Sequence, residues 1–132
     1  MSPKKLPVRA GDRGQARSRR RIAAKYLEIA ELIVAEDGAA INVCVGISVL
    51  AGIAASDAVC LAATGERYSG ADHAAAAELL GRVDVKLGAQ LGNLVTLKPS
   101  SHYGHALLDA KDRTAALRAA RALVDAATER TT

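Results

Sequence analysis

Apolar positions first fall into a helical rhythm at Ile22, Tyr26, Ile29 and Ile33, spaced four, three and four residues apart, which lines up one face of a helix. The spacing predicts a helix from about Gly14 to Glu36, closed by Asp37-Gly38. The next stretch, 39–64, has no such face. It is apolar nearly all round, with Asp57 as its one charge. A helix without a polar side is either the centre of a bundle or a membrane span, and this one is long enough to cross a bilayer. Its Ala, Gly, Ser, Asn42 and Asp57 content weakens transfer into lipid, and the other segments each carry an apolar stripe in need of a partner. The expectation is a buried central helix and no membrane span. Gly46 and Gly52 would let neighbouring helices approach it closely, and Gly65 is placed to end it.

Three shorter helices are predicted beyond it. Ser69-Gly-Ala-Asp72 has the form of a capping box and opens a helix running to about Leu80. Asp84 can cap a fourth helix towards Leu97, which Pro99 stops by disfavouring helix at Lys98. Asp109 with Asp112 signals a last helix, whose stripe is Leu117, Ala120, Val124 and Ala127. Residues 1–13 hold two prolines and no apolar period, so they read as a disordered basic arm. The fold expected is all-α: a five-helix up-and-down bundle with a long buried central helix, forming a single domain over 14–130.

Composition supports that reading and adds a compartment. Half of the 132 residues are apolar, but Phe and Trp are absent and Tyr occurs three times. An alanine-heavy core favours helix over strand. Cys44 and Cys60, sixteen residues apart on one helix, would be about 24 Å apart and cannot form a disulfide. They read as small core residues of a cytoplasmic protein. No secretory leader follows the basic N-terminus.

Charge is distributed unevenly. Residues 1–25 hold nine basic groups against Asp12 alone, a balance of +8, whereas the remainder is −4. Arg17, Arg19, Arg20 and Arg21 crowd the start of the first helix, where positive charge opposes the helix dipole. Such a block attracts a polyanion such as nucleic acid, or else is a solvated tail.

Polar residues in unusual places mark the candidate chemistry. Asp57 either sits at the exposed end of its helix, pairs with a single basic group, or is a buried carboxylate that orients a catalytic or ligand-binding side chain. Its expected partner is a side chain of the Lys98–His105 loop or of a neighbouring helix. His73 reads as a surface histidine. The loop Lys98-Pro-Ser-Ser-His102-Tyr103-Gly-His105 is the densest polar cluster. Its lysine can hold a phosphate and an imidazole can move a proton near neutral pH. Three histidines without an acidic partner at ligand spacing do not make a zinc site, and no cofactor is expected.

Two stretches, AGIAASDAVCLAATGERYSGADHAAAAELL (51–80) and LVTLKPSSHYGHALLDAKDRTAALRAARALVDAA (94–127), resemble the HEPN domain family. The resemblance implies a short helical bundle, commonly dimeric, that binds or acts on RNA or nucleotides. It further implies a place beside an antitoxin or a nucleotidyltransferase. Lys98 stands at the family's motif arginine, Tyr103 at its tyrosine, His102 where the nucleotidyltransferase-linked branch usually has aspartate, and His105 at the spacing of the catalytic histidine but past Tyr103. Lysine lacks the planar fork that grips phosphate bidentately. The function expected is therefore an RNA- or nucleotide-binding module without catalysis. The alternatives are a metal-independent endoribonuclease of a toxin–antitoxin or defence system, with His102 and His105 catalytic, and a helical dimer acting as an interaction scaffold. In the binding reading, Lys98, Tyr103 and Asp57 line the site.

Overall fold

The computed structural model describes residues 5–99 and 107–132. Among these, five helices carry the architecture: α1 (Arg13–Leu32), α2 (Ala39–Thr64), α3 (His73–Val83), α4 (Val85–Val95) and α5 (Ala110–Arg130). The all-α bundle and its long central helix are as the pattern predicts. Helix α2 packs against all four others, and Ala51, Ala54, Ala55, Ala58 and Val59 on it are wholly buried. It is long and apolar enough to cross a membrane, yet most of it is enclosed by its own bundle. Cys44 and Cys60 are buried free thiols. Burial pushes both thiols up, Cys60 to about 11, so neither ionises near neutral pH.

The helix ends follow the local sequence closely at three places. Gly65 closes α2 with φ of 77°, a left-handed conformation that glycine adopts without strain. Asp84 ends α3 and accepts the Leu87 N–H at the start of α4. Asp109 and Asp112 form the reciprocal capping box of α5. At α3 the capping residue is Asp72, which accepts from the Ala74 N–H, and not Ser69.

Two expectations need larger correction. Residues 5–13 are not a disordered arm. Leu6 is buried, and a strand β1 (Val8–Ala10) pairs antiparallel with β2 (Glu66–Tyr68), setting Val8 opposite Tyr68 and Ala10 opposite Glu66. Asp12 then caps α1 in a reciprocal box with Gln15. Three-residue strands have no detectable period, and the partner lies more than fifty residues away, so local pattern carries no trace of the pairing.

The second correction concerns which face of α1 is buried. Ala16, Ala23 and Ala30, one every seven residues, are the buried positions. Ile22 and Ile29 are exposed, while Tyr26 and Ile33 are half-buried on the flank. Small side chains let the α1 backbone lie close to α2: the Cys44 thiol reaches the Ala30 carbonyl at 3.4 Å. The larger isoleucines are displaced to the edge of that tight contact.

Candidate functional site

Arg17, Arg19, Arg20 and Arg21 lie in the first turns of α1, where the sequence pattern places them. The capping box sets the helix start at Arg13, so Arg13, Arg17 and Arg20 recur at spacings of four and three and share one face. Arg21 lies beside them. The first turn holds no acidic residue. Among the described residues, no carboxylate pairs with Arg9, Arg13, Arg17, Arg20 or Arg21. A cleft of about 160 Å³ brings Arg13 and Arg17 next to Arg130, Thr131 and Thr132 at the end of α5. Arg130 itself pairs with Asp84.

Arg19 points to the other flank of α1. Its Nε and Nη2 both lie 3.1 Å from Asp57 Oδ2. Asp57 is only 13% exposed. Burial raises its carboxyl above the usual carboxylate range, and the Arg19 and Arg67 guanidiniums oppose that shift. Its partner therefore comes from a neighbouring helix, one of the two sources the sequence allowed. Arg67 comes from β2, where its Nη1 donates to the Tyr68 carbonyl at 3.2 Å. Gln15, Ser18, Arg19, Asp57, Leu61 and Arg67 line one recess of about 370 Å³.

On the ribbon, Arg9 and Arg67 are direct cross-strand partners. Directly opposed like charges destabilise a strand pair. Arg19 and Arg67 thus set two guanidiniums beside one carboxylate. Arg67 had no signal in the sequence, because its place beside Asp57 depends on the ribbon that folds β2 back over α2.

Lys98 lies elsewhere. It lines a mostly apolar cleft of about 350 Å³ between the start of α3 and the end of α4, with Asp72, His73, Ala77, Val95 and Thr96 among the walls. The structure thus separates Lys98 from Asp57, which the sequence reading had grouped in one site, and brings Lys98 near His73 instead. His102, Tyr103 and His105 lie outside the described residues.

In comparison with known proteins, the chain matches no family model and no curated protein.

Proposed function

We propose that this protein is a non-catalytic RNA-binding module, HEPN-like in its helix order, that holds the RNA backbone on the basic face of α1. The observation that carries this reading is the ordered row Arg13, Arg17 and Arg20, with Arg21 beside it, lacking carboxylate partners among the described residues. Arginines carried on an ordered helix lose less backbone entropy on binding than the same residues on a loose tail. They also sit at the positive end of the α1 dipole, so the fold accepts self-repulsion there that an anionic partner would relieve. Phosphate contacts of this kind position a strand without reading its bases.

The test is an electrophoretic mobility shift with a mixed RNA pool in EDTA. The wild-type protein should retard RNA without cutting it, with affinity falling steeply as salt rises. Arg17→Ala, Arg20→Ala and Arg21→Ala together should lower the salt slope by about two units, at roughly 0.7 per single-strand phosphate. Cleavage in EDTA would replace this reading with the endoribonuclease. A salt slope unmoved by the triple variant would remove the α1 face from the interface.

A second reading, a helical dimer, rests on a different observation. Ile22, Ile29, Leu32, Val34 and Val43 are large apolar side chains left exposed on the α1–α2 hairpin, Leu32 by 73% and Val43 by 53%. Helix α1 is also polarised, with its arginines in the first half and Glu28 and Glu31 in the second, followed by Glu36 and Asp37. An antiparallel two-fold pairing would set each basic half opposite an acidic one.

A further inference from the structure

We propose that the recess between α1 and β2 is a seat for a phosphate monoester, the terminal phosphate of an RNA strand. It rests on the RNA-binding reading and assigns the strand's end. The seat's two cations are held by other groups in a way that leaves donors unspent. Asp57 takes the Nε–Nη2 edge of Arg19 through one oxygen, at 3.1 Å to each nitrogen. A guanidinium has five N–H donors, so the Nη1 side and the second Nη2 hydrogen are not used in that pair. Arg67 is anchored by one bond, from Nη1 to the Tyr68 carbonyl, which likewise leaves most of its donors. Both side chains line the same recess as the Ser18 hydroxyl. Gln15 completes it: its Oε1 is engaged by the Asp12 N–H in the α1 cap, so its amide NH₂ is the part left to donate.

The charge balance chooses the ligand. Two guanidiniums against one carboxylate leave the lining positive, and Arg9 stands opposite Arg67 on the ribbon. A monoester carries close to two negative charges near neutral pH and three terminal oxygens, enough to meet two guanidinium edges and a hydroxyl together. A diester within a strand carries one charge and two such oxygens. The row of arginines on the other flank of α1 already offers cations for diesters. Asp57 acts here as a positioning residue: it lines the recess but spends Oδ2 on the Nε–Nη2 edge of Arg19 and so fixes that side chain edge-on. Its burial, costly for a carboxylate, is accounted for by that task.

The experiment compares RNA 12-mers of one sequence carrying a 5′-phosphate, a 3′-phosphate or hydroxyls at both ends. The readout is the ratio of affinities at fixed salt. A terminal phosphate at one end should improve binding about tenfold. Arg67→Ala should bring the ratio to about one, and Arg67→Lys should restore only part of it, since lysine keeps charge but not the fork. Asp57→Ala should lower the ratio, with Asp57→Asn retaining more of it because an oxygen still faces Arg19. All variants are measured below their melting temperatures. Equal binding of the three RNAs by wild type overturns the seat and leaves the RNA reading standing. If no RNA binds, the RNA reading fails, and inorganic phosphate then decides the seat alone. A thermal shift with phosphate that Arg67→Ala abolishes supports it, and no such shift overturns it.

Discussion

The crossing of α3 and α4 and the outer flank of α1 are opposite kinds of surface. At the crossing, Gly88 lies so close to α3 that an added Cβ would sit 2.5 Å from the Gly81 Cα, 2.8 Å from its nitrogen and 3.1 Å from the Ala77 carbonyl oxygen. Backbone meets backbone, and no side chain is free to give way. The α1 flank leaves isoleucines in solvent and arginines with unspent donors. The crossing carries atoms that only the fold can use. The flank carries groups that the fold of one chain leaves unused, and that difference separates the residues that build the bundle from those available to a partner.

The largest effect should come from disturbing the crossing. Gly88→Ala forces α3 and α4 apart, and overpacking of this kind costs about 1–3 kcal/mol. Gly92 on the same helix is the control, because a Cβ there would meet only the Ala77 Cβ, at 3.9 Å. Gly92→Ala should be neutral or stabilising by up to about 1 kcal/mol from helix propensity. Urea denaturation of the two variants measures the gap, and equal stabilities would show that the crossing relaxes easily.

The same contrast explains what the sequence discloses. The apolar run of α2 and the caps at Gly65, Asp84 and Asp109 are local signals, and the structure keeps them. On α1 bulk is a poor guide to burial: Ile22, Tyr26, Ile29 and Ile33 have the period, but Ala16, Ala23 and Ala30 fit the narrow space against α2. The recess was half legible. A lone Asp57 in an apolar helix announces a partner, but Arg19 competes with its neighbouring arginines on sequence alone, and Arg67 reaches the site only through a pairing of β1 with β2. Distant pairings of short strands leave no periodic trace.

Asp57 is expected to give the intermediate effect. Asp57→Ala removes a largely buried carboxylate from Arg19, whose own side chain is 32% exposed and can turn to water. The loss should be about 1–2 kcal/mol at pH 7, below the cost of stranding a fully buried charge. The pH dependence has a definite sign. Burial raises the folded-state value of Asp57, so the pH-linked part of its contribution is fully present below the ordinary value of 3.8 and is lost as pH rises through the raised one, leaving the Arg19 contact and packing at pH 7. Asp84 runs the other way. The Leu87 N–H and Arg130 hold its carboxyl below the usual value, and its contribution fades on acidification. Relative to Asp57→Asn, wild type should therefore gain stability as pH falls towards 4, as measured by urea midpoints across that range. A constant difference would mean that Asp57 is solvated.

The effect most informative about partners belongs to the exposed isoleucines. Ile22 and Ile29 keep about two fifths of their surface exposed, so only part of each side chain is covered within one chain. Ile22→Ser with Ile29→Ser should lower the stability of the isolated chain by about 1–2 kcal/mol. The pairs Arg19–Asp57 and Ala30–Cys44 fix the antiparallel register of α1 on α2, which brings Ile22 to about the level of Ile53, and Ile33 to about that of Val43. Large apolar side chains therefore recur along both helices of one hairpin, where monomers seldom leave a contiguous apolar patch. If that surface joins two copies, light scattering should report a dimer for wild type and a monomer for the double variant, with helical content unchanged. Charge reversal at the acidic end, Glu28→Lys, should loosen the dimer further at low salt than at high, because each acidic half would face the partner's arginines. A wild-type chain that remains monomeric at about 100 μM, weaker than a Kd of order 10⁻⁴ M, removes the dimer and leaves the stripe an unpartnered edge of the alanine packing.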